Sequence, residues 1–366
     1  MVKFLDNFTV NVYIQSFGFF FINFAFYTQG LIEETVINSY AQHGNIDKHA
    51  GYTSQAVNYA TLTIANCVAA ALVGTLRIRW SLFVGTLTFV IFECGFLFLN
   101  EYVLYSTSAL LGVGSAILWC AHGKYLALIS TKATAARNSA IFFTIYQSGT
   151  IFGGIFLLLM FKYADKTDNF DIPLIHILYA VFAGVSFCGL MILSTLPMPK
   201  SEGFTIDGIE TKMPQMAIMK STLSLLSDKK ILLISVTMLY TGMSLTFWSG
   251  IYPTCVAFTK KLNGDSNILL AVTVIMAGVG ETLGGVICGV IGYFYKNIRR
   301  RVIVTAVTVC NLLVIAVIFI NFPKESALDE THELGFITPS TTIAITCGFW
   351  LGFNDVIIKV EKHSLF

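Results

Sequence analysis

Long apolar stretches separated by short polar ones dominate this chain. Ten apolar runs of at least twenty residues can be marked off, containing Val10–Leu31, Gly51–Leu76, Trp80–Asn100, Tyr102–Gly123, Asn138–Phe161, Ile172–Pro199, Ile231–Thr259, Ser266–Tyr295, Val302–Pro323 and Leu334–Asn354. A helix crossing a bilayer needs roughly 17–25 such residues. In hydrocarbon only a helix or a closed barrel satisfies the backbone, so the pattern predicts an all-α polytopic membrane protein of ten crossings. Two runs carry a single internal acid, Glu93 and Glu281. The first run has no basic leader and no small-residue cleavage site, so it is expected to be a retained helix and not a signal peptide.

The polar loops set the orientation. Cytoplasmic loops collect Lys and Arg. With the N-terminus inside, only Lys48, Lys162, Lys166, Lys260, Lys261 and Lys324 among 23 basic residues fall outside, beside acids such as Asp165, Asp168, Asp171, Asp329, Glu330 and Glu333. Both termini are therefore expected in the cytoplasm, with the choice between plasma membrane and endomembrane left open. The sequon Asn7-Phe8-Thr9 then lies on the cytosolic side, where no glycan is added.

One loop is unusually long. The polar stretch 200–230 contains Met216, Met219, Leu223 and Leu226 at helical spacing, an apolar stripe able to lie on the inner leaflet. It divides the chain into an N-terminal six-helix bundle, 1–199, a cytoplasmic linker with an amphipathic helix, 200–230, and a four-helix bundle, 231–366.

Composition agrees with lipid as the solvent: 55% hydrophobic and 12% charged residues, with mean hydropathy +0.73. Eight cysteines, one per run, show no paired spacing for disulfides or zinc. A net charge of +2 without a basic patch gives no nucleic-acid signal. No cofactor, metal or hydrolase motif is found, and "GVGETLGG" (Gly278–Gly285) lacks the Lys-Ser/Thr of a P-loop, so no enzyme activity is expected.

Six runs, an inner linker, and basic turns after the second run ("RIRW", Arg77–Trp80) and the eighth ("KNIRRR", Lys296–Arg301) resemble the major facilitator superfamily. "AFYTQGLIEETVI" (Ala25–Ile37), "GYTS" (Gly51–Ser54), "ILWCAHGKYL" (Ile117–Leu126), "ARNSAIF" (Ala136–Phe142), "YTGMSLTFWSGIYPTC" (Tyr240–Cys255) and "GVGETLGG" are similar to its Unc-93-like branch, ion channel regulatory type, from about Phe19 to Asp355. The resemblance implies the major facilitator fold with six plus four transmembrane helices. "GTLRIRW" lacks the acid of the superfamily's usual loop after helix two, which puts that gating latch in doubt. "IIKVEKHSLF" breaks off where the family continues, so an alternative or C-terminally truncated product lacking helices eleven and twelve is expected, with the polar Gln55, Asn58 and Asn66 uncovered. Relatives act as a regulatory component of a potassium channel complex and as a chaperone for receptors; other facilitators carry small solutes.

Glu281 raises the sharpest chemical question, because a charge at mid-membrane costs from about 2.5 to over 10 kcal/mol unless it faces protein or water. The fold implied by the resemblance sets the fifth run against the eighth. Gly280 and Gly284, and Gly285 and Gly289, then pack the two halves opposite Gly149, Gly153 and Gly154, with the acid held at their seam. It is read either as a protonatable coupling or ligand-binding group or as a structural hydrogen-bonding acid, with no cationic partner visible on a neighbouring helix. Glu93 is expected to be a hydrogen-bonded or interface-reaching acid. Glu33 and Glu34 are expected at the outer end of helix one, at the cavity mouth or as a solvated helix end. His122 and Arg137 belong to the inner face. Gln55, Asn58, Gln147, Asn354 and Asp355 mark bundle-facing sides. The aromatic residues, including Phe19, Trp248, Tyr252 and Trp350, are assigned to interfacial belts and packing. The function favoured is an accessory or regulatory subunit of an ion channel or receptor in the lipid bilayer. The alternative is a secondary transporter of a small solute, coupled through an acid such as Glu281.

Overall fold

The computed structural model describes residues 7–41, 46–131, 134–163, 172–197, 228–262, 265–294 and 300–363, with a few positions of the 198–227 connection. α1 (Asn7–Ile22) and α2 (Thr28–Ala41) form one rod, joined by a π-helical turn at Asn23–Tyr27. α3 (Ala50–Gly95), α4 (Glu101–Leu128), α5 (Ala135–Tyr163) and α6 (Ile172–Ser194) follow. Past a two-residue hairpin, β1 (Thr205–Ile206) with β2 (Ile209–Glu210), come α7 (Lys229–Thr246) and α8 (Tyr252–Phe258), again fused by a π turn, at Phe247–Ile251. α9 (Ser266–Phe294), α10 (Arg300–Asn321) and α11 (Thr341–His363) complete the bundle. The expected amphipathic stripe at Met216, Met219, Leu223 and Leu226 lies outside the described residues.

Eight of these stretches are long and apolar enough to cross a membrane. One of them, Ala50–Phe98, has 49 residues, which as a straight rod would be roughly 70 Å, over two hydrocarbon thicknesses. It is two crossings. The break is at Arg77, whose φ of 64° and ψ of 157° are non-helical. A non-glycine residue in that region costs about 1–3 kcal/mol, so the surroundings must impose it. Just after the break, Ser81 Oγ donates to the Arg77 carbonyl at 2.8 Å, and Arg79 Nη2 ties this turn to α6 by donating to the Ser194 carbonyl at 3.0 Å. With the fused α7–α8 rod, the described residues make ten crossings, six before the 198–227 connection and four after it.

The second π turn has a local cause. Pro253, in the first turn of α8, has no N–H and would collide with the carbonyl four residues back in a regular helix. Widening the preceding turn relieves that clash without breaking the rod. No proline explains the first π turn.

α9 is the centre of the packing, held between α5 and α11. Its small residues face two ways. A Cβ on Gly285 would stand 2.9 Å from Thr144 Oγ1 and one on Gly289 3.1 Å from Ala140, both on α5. Gly280 and Gly284 instead face α11, where a Cβ on Gly284 would stand 2.9 Å from the Phe353 carbonyl. On α5, Gly149 and Gly153 meet the α1–α2 rod, at the Phe20 and Phe24 carbonyls, and not α9 as expected from the sequence. Only Gly154 approaches α9, at Ile275, because one residue on a helix is a turn of about 100° and moves the next glycine to another face. Apolar side chains left on the outside, such as Leu239, Met243, Phe152 and Leu313, lie where lipid is the solvent.

Candidate functional site

Glu281, halfway along α9, is fully buried. Its carboxyl group is met from α5: Gln147 Nε2 donates to Oε1 at 2.8 Å and Thr150 Oγ1 donates to Oε2 at 3.0 Å. Residues three apart on a helix are surface neighbours, so one face of α5 supplies both donors. Behind them stands Asn23 of the first π turn, whose Nδ2 donates to Thr150 Oγ1 at 3.0 Å and to the Tyr146 carbonyl at 2.7 Å. A single acid thus ties three crossings together through neutral donors.

A cation completes the cluster. Lys359 of α11 pairs with Asp355 one turn earlier, and its Nζ donates to the Tyr27 hydroxyl at 3.2 Å. It lies 5.3 Å from the Tyr27 ring centroid and also interacts electrostatically with Glu281. By sequence alone Lys359 belongs with the basic inner segments and Glu281 has no cation on a neighbouring helix. The structure differs, because the long stem of Lys359 carries its ammonium to Asp355 and the Tyr27 hydroxyl. The acid-to-base spacing of four residues in Asp355–Lys359 was the available signal. Asp355 is buried, and Asn354 beside it turns the other way, its Nδ2 3.6 Å from Cys310 Sγ of α10.

The two π turns face each other across this region. Tyr27 of the first stacks on Trp248 of the second, with ring centroids 6.1 Å apart and planes at 29°. Such turns are frequent at functional sites because they re-aim side chains without ending the helix. Sequence reasoning did not find them.

Beside the cluster is a cavity of about 160 Å³, sharing Asn23, Tyr27 and Tyr146 with it. Rings from four elements line it: Phe19 from α1, Phe26 from the π turn, Phe89 and Phe92 from α3, and Trp119 from α4. Its polar lining includes Ser54, Gln55 and Asn58 of α3, Ser115 of α4 and Ser249 of the second π turn, and Glu33 is its one charged lining residue among those described. Phe19, lining the cavity, and Trp248, stacked on Tyr27, are buried, which fits the packing role expected of them and not a belt.

Glu33 and Glu34 do not end a helix in solvent. The rod runs on to Ala41, and both acids are buried. Glu33 Oε2 accepts from Gln29 Nε2 at 3.1 Å. Glu34 receives the Tyr52 backbone N–H and the His49 ring, each at 3.1 Å. Close by, Tyr52 Oη donates to the Ala327 carbonyl at 2.7 Å, and Lys48 pairs with Asp329, so α3 is fastened to the α10–α11 connection. The Lys48 ammonium, hydrogen-bonded to it, holds the exposed Asp329 carboxyl below the usual carboxylate range.

The remaining candidates are brought to other places. Glu93 is fully buried between α3 and α6, accepting from Ser186 Oγ at 2.9 Å. His122 is fully buried inside an aromatic group, its ring 4.0 Å from Phe142 and 5.0 Å from Phe19, and not at a boundary. Arg137 reaches Thr9 Oγ1 at 3.3 Å. Asn66 faces outward.

Ten crossings, paired π turns and a buried charge cluster beside a partly open cavity define a multi-pass integral membrane protein with the major facilitator fold. Solved structures agree on the fold. The nucleoside transporter NupG superposes with a TM-score of 0.63 at 13% identity, over 97% of this chain and 82% of that one. A POT family transporter in complex with 5-aminolevulinic acid superposes with a TM-score of 0.57 at 12% identity, over 96% and 82%. The chain belongs to the UNC-93 family: the model of "Ion channel regulatory protein UNC-93" matches residues 42–366. The UNC93-like protein MFSD11 of Xenopus tropicalis is 30% identical over 376 residues, 97% of this chain and 82% of that protein. Protein unc-93 homolog A of Bos taurus is 22% identical over 394 residues, covering 97% and 80%. Family and fold are those of regulatory and transporter proteins.

Proposed function

We propose that this protein is a secondary transporter of a small solute, in which Glu281 couples solute movement to protonation. The observation that carries the reading is the way Glu281 is held. Both of its oxygens accept from neutral donors on α5, a different helix, at the buried seam. A proton added to that carboxyl turns one oxygen into a donor, so the bond to Thr150 must reverse, and it removes the charge that strengthens both bonds across the seam. The bundle before the 198–227 connection and the one after it would then part more easily, which is what a two-state carrier requires. Lys359 and Asp355, paired with each other, are electrostatic neighbours of Glu281.

The test is uptake. The purified chain is placed in liposomes loaded with a pH-sensitive dye and offered small amines, amino acids and nucleosides. A solute-dependent proton flux that Glu281→Gln abolishes, with the variant's melting temperature unchanged, is the expected result. Flux that survives Glu281→Gln refutes the coupling role.

A second reading is favoured by one observation, the description of the family model. On it the chain is an accessory subunit that regulates an ion channel. Glu281→Gln would then alter partner recovery or channel current, with no solute flux in either form.

A further inference from the structure

We infer that the cavity bounded by the α1–α2 rod, α3 and α4 takes a small aromatic amine, its ring among Phe26, Phe89, Phe92 and Trp119 and its ammonium on Glu33. The inference deepens the transport reading and rests on the cavity being that reading's solute site.

The argument starts from the polar atoms left over. Glu33 is 3% exposed; Oε2 accepts from Gln29, while Oε1 has no partner in hydrogen-bond geometry, the neighbouring Ser54 hydroxyl being paired with Ser108. Asn58 Oδ1, on the facing wall, is also without one. A buried polar atom left unpaired costs free energy, so the site is incomplete as it stands. Both vacant positions are acceptors, which asks for a ligand rich in donors.

Charge narrows the class further. Among the described residues no cationic side chain lines the cavity, and Lys359 behind Tyr27 is already paired with Asp355, so a carboxylate or phosphate ligand would meet Glu33 with no free lining cation to offset the repulsion. An ammonium offsets the buried acid instead, and ring faces attract cations. Size sets the body: a cavity of about 150 Å³ holds a benzene-sized ring. A monocyclic arylalkylamine meets all three conditions.

Gly30 supplies a way to close the cavity without disturbing the fold. It lines the space, and a Cβ there would meet nothing within 4 Å. Gly30→Leu therefore fills the void from a helix that tolerates it.

The full chain, purified in detergent, is dialysed against radiolabelled 2-phenylethylamine, with 2-phenylethanol and 3-phenylpropionate as competitors. Expected are saturable amine binding, competition by the alcohol weaker by at least about tenfold, and none by the carboxylate. Glu33→Gln should weaken amine binding by about tenfold or more, and Gly30→Leu should abolish it at an unchanged melting temperature. Absence of saturable binding to the folded wild type overturns the inference. So does an alcohol that competes as well as the amine, or a folded Glu33→Gln chain that binds as tightly. If Glu33→Gln does not fold, the competitor series and Gly30→Leu decide. Binding is read without flux, so amine binding in a chain that moves no protons sinks the transport reading alone.

Discussion

Lys359 and Tyr27 come from opposite ends of the chain and meet at its centre, the ammonium 3.2 Å from the phenol oxygen and 5.3 Å from the ring centroid. Tyr27 in turn stacks on Trp248. The last helix is thereby joined to both π turns, so a shift in either rod is felt at the Lys359–Asp355 pair.

That pair should behave as a buried ion pair does. Lys359→Met leaves Asp355 buried and unpaired, at an expected loss of about 3–5 kcal/mol, whereas Lys359→Met with Asp355→Leu should recover most of it. Thermal melting in detergent, followed by tryptophan fluorescence, gives both numbers. A single variant as stable as the double would mean that the pair is open to water.

The strain at Arg77 should be releasable. Arg77→Gly removes a penalty of about 1–3 kcal/mol and adds back about 0.5–1 kcal/mol of chain entropy, for a net gain of about 1 kcal/mol. Arg77→Ala keeps the strain and should gain nothing. Equal melting temperatures for the two variants would show that the positive φ is not what limits stability there.

Contacts between α3 and the α10–α11 connection should guard what lies beneath them. Cys255 is buried against Ser326, next to the Ala327 carbonyl that Tyr52 holds. Lys48→Glu with Tyr52→Phe is expected to speed maleimide labelling of Cys255, read by mass spectrometry. Asp329 is depressed, so its bond to Lys48 is fully formed above the ordinary carboxylate pKa of about 3.9 and is lost only as pH falls through the lower folded value. The variant-to-wild-type labelling ratio should therefore be the same at about pH 7.5 and pH 5.5, and a ratio that collapses in mild acid would place the latch elsewhere.

How much of this was legible beforehand differs from residue to residue. The ten crossings were, since an apolar run long enough for the bilayer leaves the backbone no alternative to a helix. Glu281 was, because a lone acid in such a run is costly unless buried. Its donors were not: Gln147 and Thr150 lie more than a hundred residues away in the chain, and nothing local marks which face of α5 they share with Asn23. Hydropathy alone ends a helix at the first charges and so misplaces Glu33 and Glu34, while the rod continues past them once His49 and Tyr52 pair with Glu34 and Gln29 with one oxygen of Glu33.

By itself the sequence determined the family, through its motifs, and also the solvent, the number of crossings and the two lone acids, Glu93 and Glu281, because these follow from the cost of exposing polar groups to hydrocarbon. Only the tertiary structure decided that Lys359 turns inward, that two π turns face each other, and that a ring-lined cavity leaves Glu33 half satisfied. Those depend on which faces of distant helices meet, and helical periodicity says that a face exists without saying what it touches.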